Sequence, residues 1–336
     1  MKKVGIIGCG GIAQVHAWVL DAMPNITLAA FCDLRLDRAK ALAEKYALEP
    51  QATITDNWRS LLESDLDAVH ICTPHDLHVL MAEAFLKAGK AVFCEKPCAI
   101  SLEQFETLKR TDEDYPGKLG FCFQNRYNET TQLLDQLLSE GRIGKLLGAR
   151  AIVTWRRDEG YYAGSDWKGK RSREGGGALI NQSIHTLDLL LRYLGTPKVV
   201  KGSTANHHLE GVIDVEDTVE AWMEFEGGRR GCFYASNGYA SDAPVLLELQ
   251  GEKGRIMMNG QEVTLYVEDK APEHFLCEQT QGIGKGYWGC GHKVCIRDFY
   301  ECLENGKPFQ NSLNGVENTF YVMMKIYNKG EESWKK

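Results

Sequence analysis

The chain has 336 residues, 43% of them hydrophobic and 25% charged, the proportions of a globular protein with room for more than one core. A net charge of −7 and a pI near 5.8 exclude the basic surface that nucleic acid or an anionic membrane requires. No apolar run approaches the ~20 residues of a membrane span.

Val4, Ile6 and Ile7 read as a buried parallel strand. Gly8-Cys9-Gly10-Gly11-Ile12-Ala13 follows and fits G-x-G-x-x-A, the phosphate fingerprint of a dinucleotide-binding βαβ unit. In that reading Gly8 permits the turn and Gly10 admits the pyrophosphate. Gly11 and Ile12 open the helix whose N–H groups hold it, and Ala13 lets that helix pack closely. Residues 26–32 form the next strand and end in Asp33, placed to bind ribose hydroxyls. A carboxylate there repels a 2′-phosphate, so NAD is expected over NADP, although Arg35 and Arg38 lie near enough to keep NADP open. Strands follow at 68–72, 91–94 and 119–123, with helices between them at 37–46, 77–88 and 101–110. Their carboxyl ends carry Thr73-Pro74, Glu95-Lys96-Pro97 and Gln124-Asn125-Arg126, where a doubly wound parallel sheet binds its ligands.

Beyond residue 124 the pattern changes. A helix at 129–138 leads to long strands that alternate polar with apolar, as in Thr218 to Phe225. Similar stretches lie at 146–155, 199–206, 231–237 and 245–251, with turn signals at 226–228, 251–254 and 259–260. Helices are expected at 176–194, 291–305 and 315–329. The fold class is therefore α/β: a Rossmann doubly wound parallel sheet over 1–123, then an α+β domain over 124–336 with a large, mostly antiparallel open sheet.

Eleven cysteines in a long chain that enters a strand directly after two lysines, with no room for an export signal, read as reduced thiols of a cytoplasmic protein. Neither Cys94/Cys98 nor Cys290/His292/Cys295 has common zinc spacing, so no metal is expected.

These landmarks together resemble the Gfo/Idh/MocA family, the group of glucose-fructose oxidoreductase and inositol dehydrogenase. The motifs are GCGGIA at Gly8, TPHDLH at Thr73, EKP at Glu95, FQNRYN at Phe123, GGGALINQSIHTLDLL at Gly175 and GHKVCIRDF at Gly291. The resemblance implies an NAD-dependent oxidoreductase acting on a secondary alcohol of a sugar, sugar derivative or cyclic polyol. It places the family's catalytic lysine on Lys96 and its catalytic histidine on His185. It also implies a homodimer or homotetramer formed through the exposed face of the second sheet.

Lys96 follows a buried strand, where desolvation and the cofactor's positive ring favour a lowered pKa, so it suits polarising or binding the carbinol oxygen and lying against the cofactor. His185 suits a general base for oxidation. Asn181, four residues earlier on the same helix face, stands where the family usually has aspartate; it can bond a substrate hydroxyl but carries no proton. Thr73, Pro74, His78 and Glu95 are expected around the nicotinamide ribose. Arg126, Tyr161, Trp167, Lys168 and Arg171 are candidates for substrate contact, and His292 is a candidate to face the cleft. Two other readings keep the fold: a glycoside-cleaving enzyme that oxidises only transiently, and a non-catalytic NAD-sensing regulator.

Overall fold

A computed structural model describes residues 1–46, 52–277 and 290–329. The first part comprises β1 (Lys2–Ile7), α1 (Gly11–Asp21), β2 (Ile26–Cys32), α2 (Leu36–Tyr46), β3 (Thr53–Thr55), β4 (Ala68–Ile71), α3 (His78–Lys87), β5 (Ala91–Cys94), α4 (Leu102–Asp114) and β6 (Leu119–Phe121). All six strands are parallel, in the order β3-β2-β1-β4-β5-β6. β4 and β5 are buried along their whole length, as a sheet covered on both faces requires. The order reverses between β1 and β4, the position at which such sheets bind ligands.

The second part runs through α5 (Glu129–Ser139), β7 (Leu146–Thr154), α6 (Glu159–Ala163), α7 (Arg171–Glu174), a π-wound turn over Ala178–Ser183 and α8 (Ile184–Leu194). It continues with β8 (Val199–Ala205), β9 (Thr218–Glu224), β10 (Arg230–Ser236), β11 (Leu246–Gly251), β12 (Gly254–Asn259), β13 (Glu262–Val267) and β14 (Glu273–Leu276). These eight strands form one sheet, ordered β14-β13-β12-β11-β7-β10-β9-β8. Only β7 and β10 pair parallel among them. The alternation expected for β9 holds: Val219, Ala221 and Met223 are buried and Glu220 is exposed. Helix α8 packs on β7 and β10.

The chain then returns. α9 (Gly291–Asn305) and the loop into α10 (Leu313–Lys329) belong, up to Val316, with the parallel sheet. The expected cut into two consecutive segments at 123/124 is therefore corrected to two compact units. Among the described residues one holds 1–124 and 290–316, the other 125–277 and 317–329. The cause is local: a Cβ on Gly120 of β6 would stand 2.7 Å from the Phe299 ring, so glycine makes the seat for α9. Asn311 then extends the sheet edge, its carbonyl accepting from Phe121 N–H at 2.9 Å and its amide donating to Phe123 O at 3.2 Å. Ile296, Phe299 and Tyr300 are buried there. All eleven cysteines are free thiols, and among the described residues no helix is long and apolar enough to cross a membrane.

Candidate active site

The glycine turn at the end of β1 is built for close approach. Gly8 has φ +85°, and a Cβ on it would stand 2.6 Å from the carbonyl oxygen of Cys72 at the end of β4. Both facts require glycine. Gly10 and Gly11 instead face open space, with nothing within 4 Å of an added Cβ. Helix α1 starts at Gly11 with no side-chain cap and no acid in its first turn, which leaves its leading N–H groups and positive dipole end for an anion. Asp33 locks the turn: one carboxylate oxygen accepts from Cys9 N–H and the other from Arg35 N–H, each at 2.8 Å. Each oxygen keeps a lone pair for a ribose hydroxyl. This donor set fits a dinucleotide, with Gly8, Gly10, Gly11 and Ile12 toward the phosphates and Asp33 toward the ribose.

At the neighbouring strand ends, Thr73, Pro74 and Lys96 are half-buried. His78 is not at this surface. It lies buried, with Nδ1 2.9 Å from Pro97 O and Nε2 2.9 Å from Thr73 O, and so ties the loop after β4 to the loop after β5. Burial lowers its pKa despite those carbonyl contacts. Glu95, also expected near the ribose, turns inward to His16, with Oε1 3.0 Å from Nε2. His16 Nδ1 lies 2.8 Å from His70 Nδ1, and His70 Nε2 lies 3.0 Å from the Tyr300 hydroxyl. His292, a candidate to face the cleft, is buried with its ring centroid 6.4 Å from that of His16, and burial pushes its pKa down to about 4. This polar line inside an apolar unit was not anticipated; the signal available was His70 in the middle of an otherwise apolar strand.

The second unit holds the other candidates. Gly177 lacks the side chain that would collide with the carbonyl of Glu216, and Gly176 the one that would collide with the Tyr327 hydroxyl. That contact lets the Glu216 carboxylate accept from Leu179 N–H at 3.0 Å and from Tyr327 O–H at 2.8 Å. Burial raises the pKa of Glu216. The expected uniform helix therefore begins as a π-wound turn carrying Asn181 and becomes regular at Ile184, just before His185. Such turns recur at functional sites.

Arg126 has another task than the expected substrate contact. Its Nε donates to Asp188 Oδ2 at 2.7 Å and its Nη2 to Oδ1 at 2.5 Å, with both side chains buried. Tyr161 is half-buried against a small apolar cluster of Tyr162, Leu209, Ile213 and Val215. Its hydroxyl accepts from Gln182 at 2.9 Å, and the Lys168 ammonium sits 4.0 Å from its ring centroid. Trp167 is half-buried and Arg171 exposed. Loops 155–173 and 277–288 are the segments expected to set substrate selectivity, and of the second only Cys277 lies among the described residues.

Asn181 has a physical reason to be an amide. Its Nδ2 donates to the carboxylate of Glu174, a buried side chain that also accepts from Gly169 N–H. Asn181→Asp would face two carboxylates across one hydrogen bond, and we expect a loss of about 1–3 kcal/mol at neutral pH. The sign follows from proton linkage: one acid of the pair, held above its ordinary pKa, keeps a proton that the unfolded chain has released. Stability of the variant thus falls as pH rises from about 4 through the raised value and recovers in acid. Urea unfolding of both proteins across that range checks it; a gap that does not change with pH would refute the pairing.

Comparison with known proteins extends this geometry. Residues 2–120 match a family described as an oxidoreductase family with an NAD-binding Rossmann fold, and residues 131–257 match the GFO/IDH/MocA C-terminal domain. The chain is 36% identical over 247 residues to D-glucoside 3-dehydrogenase of Escherichia coli (strain K12), covering 67% of each protein. It is 28% identical over 262 residues to inositol 2-dehydrogenase of Rhizobium meliloti (strain 1021), covering 77% of this chain and 76% of that one. In fold it resembles levoglucosan dehydrogenase solved with NADH and levoglucosan, with a TM-score of 0.86 at 21% identity over 98% of this chain and 97% of that one.

Proposed function

This chain belongs to the GFO/IDH/MocA oxidoreductase family and uses NAD, and from that premise we propose that it oxidises a secondary hydroxyl of a sugar, sugar derivative or cyclic polyol to the ketone, or runs the reverse reduction. One observation carries the proposal: the turn at Gly8–Gly11, open at Gly10 and Gly11 and locked to Asp33, lies at the same sheet edge where β5 delivers Lys96. The likeness to D-glucoside and inositol dehydrogenases supports a carbohydrate or polyol substrate.

When bound, NAD accepts the hydride from the carbinol carbon. The chain's own residues handle the rest. Lys96 Nζ hydrogen-bonds the hydroxyl oxygen and stabilises charge developing on it. The His185 imidazole takes the hydroxyl proton in oxidation and returns it in reduction. Asn181, anchored to Glu174 through its amide nitrogen, offers its carbonyl oxygen to a neighbouring substrate hydroxyl. Copies of the chain associate, as dimer or tetramer, through the outward face of the second sheet, where Leu147 and Cys232 are exposed.

The test is NADH formation from NAD with a panel of monosaccharides, glycosides and cyclic polyols. We expect turnover with at least one member. NAD binding without turnover on any of them would overturn the proposal, and cleavage of a glycoside with no net NADH would replace it with transient oxidation.

A further inference from the structure

We infer that Tyr300 and His70 are positioning residues which, through His16, hold Glu95 as an oriented carboxylate beside Lys96. The inference rests on the reading of Lys96 as the group at the hydroxyl oxygen. All four members of the line lie in the first unit, on α9, β4, α1 and the turn after β5.

The hydrogen-bond polarity of the line can be worked out from its two ends. Glu95 Oε1 is a carboxylate acceptor 3.0 Å from His16 Nε2, so that nitrogen donates. A neutral His16 then has only a lone pair on Nδ1. The two Nδ1 atoms, 2.8 Å apart, share a single hydrogen, which must come from His70. The thiol of Cys72, 3.6 Å from the same His16 Nδ1, approaches as a second, weak donor. His70 is left with a lone pair on Nε2, and the Tyr300 hydroxyl 3.0 Å away donates to it. Every polar atom of the line is satisfied with both imidazoles neutral and one negative charge, on Glu95. The reverse polarity would make His16 an imidazolium and turn the Tyr300 O–H away from His70 Nε2, its partner in this line.

The surroundings agree with that assignment. Burial holds His70 well below the ordinary histidine range and keeps Tyr300 a protonated phenol. Burial, the largest single effect, raises the pKa of Glu95, but the hydrogen bond from His16 and the neighbouring groups, Lys96 among them, together keep it below the usual carboxylate range. Among the described residues the other titratable groups facing the line are His292, Lys96, Asp67 and the thiols of Cys72, Cys94 and Cys122. Tyr300 thus acts at a distance. It sets the tautomer of His70, which sets that of His16, which keeps a donor on the carboxylate adjoining Lys96.

Two measurements test this. In protein labelled with ¹⁵N-histidine at neutral pH, His16 should be the Nε2–H tautomer and His70 the Nδ1–H tautomer. In Tyr300→Phe, which keeps the ring and removes only the hydroxyl, His70 should lose its single tautomer. The acid limb of kcat/KM should then move up by about half to one pH unit, as a more weakly held Glu95 takes up its proton earlier. Adding Glu95→Gln should erase the difference between the Tyr300 variants. His16 found as Nδ1–H, either ring found cationic, or an acid limb that Tyr300→Phe leaves in place would overturn the inference. A stoichiometric metal ion in the purified protein, held by His16, Glu95 and Cys122, whose ligand-type atoms lie within 4.8 Å of one another, would overturn it too. Full activity in Lys96→Ala would instead remove the reading it rests on, while the tautomer result would stand.

Discussion

Lys96→Ala is expected to lower kcat/KM for the preferred alcohol by about 10²–10⁴-fold, the range removed with a positioned acid–base group, while NAD binding stays close to wild type. The separation follows from where the contacts lie. In the proposed site the anion-binding turn is made of backbone at Gly8–Gly11 and the ribose acid is Asp33, which is already fixed by Cys9 and Arg35. None of that machinery includes the Lys96 side chain. His185→Ala should show a similar loss, and the double variant should lose little more than the worse single, because two groups serving one proton transfer are not additive. Steady-state kinetics with calorimetric titration of NAD reads both quantities. If Lys96→Ala loses NAD affinity and activity in equal measure, the lysine is a cofactor ligand; if both variants keep full turnover, neither group handles the proton.

Much of the first unit could be read from the chain alone. Parallel strands buried on both faces are written as short apolar runs, and the residues that end them, Asp33, Thr73 and Lys96, must be polar because they meet the ligand edge. The turn at Gly8 was legible for a related reason: its positive φ and its contact with Cys72 exclude every side chain, so the glycine is compulsory. The return of α9 was not. Its amphipathic spacing says that one face is buried but not against which sheet, and the seat that decides it is a single missing side chain at Gly120. The line from Tyr300 to Glu95 was hidden for the same cause, since hydrogen bonds spanning 230 and 79 residues leave no periodic trace. The short helices at 159–163 and 171–174 hold too few turns to show periodicity. At Asn181 the departure from the family pattern was visible, but its partner Glu174 was not, because the pair forms only after the π-wound turn brings them together.

Arg126→Ala should cost about 3–5 kcal/mol, the largest stability effect expected of a single substitution here. The guanidinium and the Asp188 carboxylate are 8% and 1% exposed and joined by two hydrogen bonds. Removing the arginine strands a charge that water cannot reach, with Thr319, whose hydroxyl donates to Asp188 Oδ1 at 2.7 Å, as the neutral donor left beside it. The expectation separates two roles that look alike in the sequence. A substrate ligand would raise KM and leave unfolding unchanged; a structural partner lowers the unfolding midpoint before it touches KM. A paired replacement sharpens the distinction. Arg126→Met with Asp188→Leu removes both charges together and should recover most of the loss, because an apolar pair of similar volume replaces a buried ion pair at little cost. Thermal and urea unfolding of the wild type and the two variants measure this. An Arg126→Ala protein as stable as wild type but with raised KM would return Arg126 to the substrate. A double variant no better than the single would mean that the guanidinium holds the start of α5 by packing rather than by charge.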